Sequence, residues 1–334
     1  MGSRTENLTA RTLAYRTRGY ARRVSRGASV IVTGAGGFIG SRALEPLLAH
    51  GFEVHALSRS RAADARVHWH AVDLLDAQLV AALVRELKAT HLLHLAWFTE
   101  HGRFWSAPEN LDWLGASVQL LRAFAQAGGE RAVMAGTCAE YDWTTAAESC
   151  VELDSDLMPA TPLAPATLYG AAKHATHLVS RAYAREAHIS LAWGRIFLLY
   201  GPGEDERRLV PAVARALLEG REAQTSDGTQ VRDLMHVDDV AAAFAALLAS
   251  EVEGPVNVAS GEPTRLRQVI EEIGRAAARP DLLRIGALPR SGSEPERLVA
   301  DTARLRGEVG FEPQIALSEG IASTLAWWRE QAAA

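Results

Sequence analysis

The 334-residue chain has only two cysteines, Cys138 and Cys150, which leaves no disulfide framework and no thiolate metal site. It has no apolar run near the roughly 18 residues that a bilayer span needs, so no membrane partner is expected. Charge of one sign is also scarce. A formal net charge of −5 gives no field that would gather nucleic acid or an anionic surface. Lysine is nearly missing, with Lys88 and Lys173 set against 33 arginines. These absences point to a reducing, cytoplasmic compartment.

What is present is ordinary for a globular enzyme: 48% of residues are hydrophobic and 22% charged, enough apolar material at this length for two joined lobes. Residues 1–27 stand apart as a basic tail expected to be disordered. Arg4, Arg11, Arg16, Arg18, Arg22, Arg23 and Arg26 face a single acid, Glu6. A targeting peptide or basic arm is one reading; a cloning remnant or a misplaced start codon is the other. The segment lacks the apolar centre of a secretory signal.

From residue 28 short apolar runs alternate with longer amphipathic ones, the pattern of parallel strands joined by helices. Strands are predicted over 28–33, 53–57, 67–72, 91–95, 131–136 and 189–197. Helices are predicted over 38–50, 77–88, 108–126 and 169–186, with a proline-rich loop at 158–165. Beyond residue 200 the pattern loosens. A helix over 209–219, a turn at 227–228, an alanine-rich helix near 241–249 and a strand over 256–258 suggest a second lobe interleaved with the first. The fold class is therefore α/β, a Rossmann-type doubly wound parallel sheet with a smaller interleaved C-terminal substrate-binding lobe. Residues 28–196 and 229–260 are assigned to the cofactor half, and 197–228 and 261–331 to the substrate lobe.

Between the first strand and its helix stands Thr33-Gly34-Ala35-Gly36-Gly37-Phe38-Ile39-Gly40. Gly34, Gly37 and Gly40, three apart, permit a tight turn, a close backbone approach to a pyrophosphate, and close packing of helix on sheet. The helix N-terminus then faces the phosphates with partial positive charge. The second strand ends in Leu57-Ser58-Arg59-Ser60-Arg61, with no carboxylate to hold a ribose hydroxyl or repel a 2′-phosphate. Arg59 can pair with that phosphate, so NADP(H) is expected ahead of NAD(H), although Arg59 can also be read as a solvated loop residue.

Tyr169 and Lys173 lie four apart on one predicted helical face. A phenol of ordinary pKa is a poor acid–base group at neutral pH, and a neighbouring ammonium would bring it toward that task. Tyr-x-x-x-Lys is common by chance. Its weight here comes from the upstream glycine turn and from the rarity of lysine. His174 and His177, at i, i+3 on the same helix, lack evident acidic partners, so no metal is expected.

Taken together, the glycine turn, Tyr169 and Lys173 resemble the extended short-chain dehydrogenases/reductases, the NAD(P)-dependent nucleoside-diphosphate-sugar epimerase/dehydratase family, over roughly residues 28–331. The resemblance implies a cofactor site of Gly34, Gly36, Gly37, Phe38, Ile39, Gly40, Ser58, Arg59, Asp73, Leu74, Leu95, Ala96, Tyr169 and Lys173. It implies Tyr169 as general acid/base, Lys173 as its tuner and ribose contact, and Thr137 as the hydroxyl beside the reacting oxygen. Arg232, in Arg232-Asp233-Leu234-Met235-His236-Val237-Asp238-Asp239, matches an arginine that meets the sugar-nucleotide diphosphate in that family. Asp301 onward, through Val309-Gly310-Phe311-Glu312-Pro313, resembles its C-terminal helix and turn. The aromatics Trp97, Phe98, Phe104 and Trp105 follow a strand end and are candidates to line the substrate pocket, Trp97 foremost.

Two departures narrow the reading. Cys138 and Ala139 occupy the places where the family's dehydratases carry an acid pair, which disfavours dehydration, and Leu198 occupies the place of a substrate-contacting asparagine. The expected activity is NADPH-dependent reduction of a nucleotide-linked 4-keto-6-deoxysugar by a homodimer in deoxysugar biosynthesis. The alternatives are a nucleotide-sugar epimerase in the same fold and a non-catalytic NADP(H) sensor or scaffold.

Overall fold

The computed structural model describes residues 24–25, 27–59, 64–145, 149–152, 160–290 and 295–333. Nearly all of the expected basic tail, and the start of the proline-rich loop at 158–159, lie outside the described residues.

Strands β1 (Ser29–Thr33), β2 (Glu53–Ser58), β3 (His68–Ala71), β4 (His91–His94), β5 (Arg131–Thr137) and β6 (Ser190–Ile196) alternate with α1 (Gly40–His50), α2 (Ala77–Leu87), α3 (Glu109–Gln126) and α4 (Leu168–Glu186). After them come β7 (Leu198–Tyr200), α5 (Leu209–Leu218), β8 (Ala223–Thr225), β9 (Val231–His236), α6 (Val237–Ala249) and β10 (Gly254–Val258). The chain closes with β11 (Pro263–Arg265), α7 (Leu266–Ala276), β12 (Leu283–Ile285), β13 (Arg297–Leu298), α8 (Ala303–Gly307) and α9 (Leu317–Ala333).

Seven strands form one sheet in the order β10-β6-β5-β4-β1-β2-β3, with every neighbouring pair parallel. The winding reverses between β1 and β4, which opens the crevice where ligands of such sheets bind. Period-2 alternation assigns each strand residue to one of two apolar layers. Val30 and Val32 join Ala43, Leu47, Val240 and Phe244 of α1 and α6, while Ile31 joins Val84, Leu121 and Phe124 of α2 and α3. Each of these side chains larger than alanine contributes about 1.5–3 kcal/mol by leaving water. Arg131 fastens α6 to β5: its guanidinium donates to the carbonyls of Leu248 at 2.9 Å, Leu247 at 2.7 Å and Val252 at 2.9 Å, a cation at the helix C-terminus.

The second lobe has its own core, in which Val213, Leu217, Val269, Ile273, Ile321 and Leu325 join α5, α7 and α9. Strand β9 falls within the 229–260 stretch assigned to the cofactor half, yet it ladders with β7, β11 and β13. The chain returns to the large sheet only at α6. Arg42 of α1 crosses the seam between the lobes, donating to Asp238 Oδ1 at 2.9 Å at the start of α6 and also to the Pro202 carbonyl.

Helix α1 begins at Gly40, two residues later than the sequence pattern suggests. Phe38 and Ile39 belong to the turn, whose Gly37 N–H donates to the Gly34 carbonyl at 2.9 Å.

Candidate active site

The glycine turn has no room for side chains where the chain folds back. Gly34 is left-handed at φ +68°, and a methyl there would stand 2.9 Å from the Ala96 nitrogen. A methyl on Gly36 would stand 2.8 Å from Ser58 Oγ, and one on Gly40 would collide with the Gly34 carbonyl oxygen. Gly36 and Gly37 are exposed at the head of α1. Ser58 ends β2 and Arg59 follows it, exposed, while Leu95 and Ala96 follow β4. Asp73 is exposed after β3, where its Oδ1 accepts the Leu75 N–H at 3.0 Å, and Leu74 is half-buried beside it. This cradle of small residues, exposed amides and a helix N-terminus fits a dinucleotide.

Helix α4 starts where the Thr167 hydroxyl accepts the Gly170 N–H at 3.1 Å, which puts Tyr169 in the first turn. The Tyr169 N–H donates to the Trp105 carbonyl at 3.1 Å. Its ring meets Phe104 edge-on at 5.0 Å and Trp105 at 5.8 Å. Burial pushes the phenol above its ordinary value, whereas a hydrogen bond with the Thr137 side chain and the Arg208 charge pull it down.

Lys173, the expected tuner of the phenol, follows one turn later on α4. Its Nζ donates to the Ala135 carbonyl at 2.8 Å and lies 3.9 Å from the centre of the Trp97 ring. Burial lowers the ammonium to about 7, opposed by Glu140. The four-residue spacing does put both side chains on one face, but the lysine reaches inward to β5.

A cavity of about 450 Å³ lies above the sheet's carboxyl edge, bounded by Ile39 of the glycine turn, Thr137, Tyr169 and Arg232. Arg232 is buried and donates to the carbonyls of Val231 at 3.0 Å and Pro295 at 2.8 Å. Trp97 corrects the sequence expectation: it is not among the residues lining the cavity, because its indole N–H is held by Asn110 at 2.8 Å and its face covers Lys173. From the same segment Phe104 and Trp105 do line the cavity. An adjoining cavity of about 530 Å³ shares Arg207, Leu209 and Leu266 and adds Arg221, Gln224 and Arg290.

The sequence reading missed Arg208, whose Nε meets the buried Glu204 at 3.0 Å in the cavity wall, and Glu140. Nothing in the local pattern marks Arg208. Glu140 was readable, since Thr137-x-x-Glu140 has capping-box spacing, and the structure shows both halves of that box.

Glu140 also corrects the view of the helix histidines as lacking an acid: Glu140, His174 and His177 bring ligand-type atoms within 4.8 Å of one another. The donor set does not fit a cation. Arg195 Nε already bonds the carboxylate at 3.1 Å, so its charge is met within the protein. A metal ion would face a fixed guanidinium.

Residues 30–259 match the model of the NAD dependent epimerase/dehydratase family. The UDP-glucose 4-epimerase of Mycolicibacterium smegmatis is 31% identical over 324 residues, covering 90% of this chain and 98% of its own. Among solved structures, the Thermus thermophilus UDP-glucose 4-epimerase in complex with NAD superposes with a TM-score of 0.75 at 29% identity, over 90% of this chain and 99% of that one. MoeE5 in complex with UDP-glucuronic acid and NAD gives a TM-score of 0.76 at 28% identity, over 91% and 100%.

Proposed function

The chain belongs to the NAD dependent epimerase/dehydratase family, and from that premise we propose that it exchanges hydride and proton at a keto group of a nucleotide-linked sugar, in the net direction of reducing a 4-keto-6-deoxysugar with NADPH. The observation that carries this reading is the convergence of Thr137, Tyr169 and Arg232 on one cavity that also reaches Ile39 of the glycine turn. The nicotinamide supplies the hydride when bound. Tyr169 donates its proton to the reacting oxygen, with Thr137 beside it in the cavity wall. Lys173 is buried behind the site, its Nζ held by the Ala135 carbonyl. The arginines of the adjoining cavity suit the diphosphate of the sugar nucleotide.

The preference for NADPH rests on Arg59, exposed at the end of β2 with no acid in its place. A second reading is favoured by full-length likeness to a UDP-glucose 4-epimerase: the same residues would oxidise and re-reduce carbon 4 without net cofactor use. A single assay separates them. NADPH loss equal to product formed, on a panel of nucleotide-linked 4-keto-6-deoxysugars, supports the reductase. Interconversion of nucleotide hexoses with no net loss makes the chain an epimerase, and cofactor binding without either makes it a sensor.

A further inference from the structure

Thr137 sits at the end of β5, with extended backbone at φ −151° and ψ 149°, where a strand would ordinarily fray. The turn Cys138–Glu140 that follows is only three residues long and cannot hold the hydroxyl by itself. Its geometry is fixed from below. Glu140 is fully buried, and its Oε1 accepts the Thr137 N–H at 2.9 Å and the Trp193 indole N–H at 2.8 Å. Its Oε2 accepts from Arg195 Nε at 3.1 Å, and Arg195 in turn donates to the Tyr141 hydroxyl at 3.2 Å. The Thr137 hydroxyl oxygen takes the Ala139 N–H at 3.2 Å, closing the box. One carboxylate thus ties strand β6 to the backbone of Thr137, which lines the cavity with Tyr169.

We propose that Glu140 is a positioning residue of this site, holding the Thr137 hydroxyl toward Tyr169 by gripping the Thr137 amide. The proposal deepens the oxidoreductase reading and rests on it. A buried carboxylate accepting three donors has little freedom, so its fixed place is passed to the one-residue neighbourhood of the hydroxyl. The same carboxylate opposes the loss of charge that burial imposes on Lys173.

Glu140→Asp is the discriminating variant, because it keeps the charge opposite Arg195 while withdrawing the oxygens from Thr137 by one methylene. Turnover with NADPH should fall about tenfold, with cofactor affinity by fluorescence titration unchanged. Thr137→Val should cost about tenfold in the unmodified protein but less than about twofold on top of Glu140→Asp, since both act through one hydroxyl. Amide hydrogen exchange at Thr137 and Ala139 should quicken in Glu140→Asp, a readout that needs no turnover. Glu140→Gln paired with Arg195→Met keeps an acceptor at full reach and removes both charges, so it should retain turnover within about threefold. Near-normal turnover in Glu140→Asp, an undiminished cost of Thr137→Val in that background, or unchanged exchange would each overturn the proposal. An unmodified protein without turnover on any nucleotide sugar would defeat the functional reading instead, and the exchange measurement then decides the role of Glu140 alone.

Discussion

The glycine turn and the cavity wall opposite it are built by different means. The turn is made of backbone: within one short stretch, Gly34 and Gly40 each lack space for one more carbon against main-chain atoms. The wall is made of side chains, brought from Phe104, Thr137, Tyr169, Arg208, Arg232 and Leu298 by separate crossings of the chain. A backbone site tolerates almost no substitution but binds a ligand part that many proteins share. A side-chain site can be rewritten one residue at a time, which is where substrate choice resides.

That contrast can be broken at several points. The largest expected effect is on the wall: Tyr169→Phe should leave NADPH binding intact while turnover falls at least about a hundredfold, as for loss of a general acid. Near-normal activity would remove the phenol from the mechanism. On the turn, Gly40→Ala should cost about 1–3 kcal/mol of stability through overpacking and weaken NADPH and NADH alike, seen by thermal melting with and without cofactor. A stable Gly40→Ala protein with unchanged affinity would mean the turn is not backbone-limited. Arg59→Ala should act on one cofactor only, reducing NADPH affinity about tenfold and sparing NADH. Equal affinities in the unmodified protein would instead return the site to NAD.

A smaller effect should separate the halves by acid. In the cofactor half burial holds His91 at about 4, and His94 and His177 at about 3, against about 6.5 in the unfolded chain. These lowered values favour the neutral folded form. Their contribution is whole above 6.5 and is lost as pH falls through 4 and 3. In the second lobe burial raises Glu204 to about 7, partly offset by Arg208. Its contribution has the opposite sign, present at low pH and lost as pH rises from about 4.5 through 7. Hydrogen exchange at about pH 4 should therefore show β1–β5 opening before α5, α7 and α9. The reverse order would sink this assignment.

Legibility followed the same division. Strands β1, β4, β5 and β6 are buried on both faces, so their apolar runs stood out, and the glycine spacing located the turn beside them. The helix start was misread by two residues because Phe38 and Ile39 continue the apolar pattern into the turn. The strands β8, β11, β12 and β13 are two or three residues long and carry no period to read. Trp97 misled because position after a strand end says that a residue is near the crevice, not which way its ring turns; Asn110, thirteen residues on, decides that. For Lys173, helical spacing fixed the face but not the reach of a four-carbon stem, whose end meets the Ala135 carbonyl.

Arg42 gives the two halves a thermodynamic relation. It grows from the first turn of the helix behind the glycine cradle, yet its two terminal nitrogens donate to Asp238 and Pro202, on α6 and just after β7. A ligand that shifted α1 from the glycine cradle would then also act on the segment after β7, and reciprocity would require a ligand bound on that side to favour the first by the same factor.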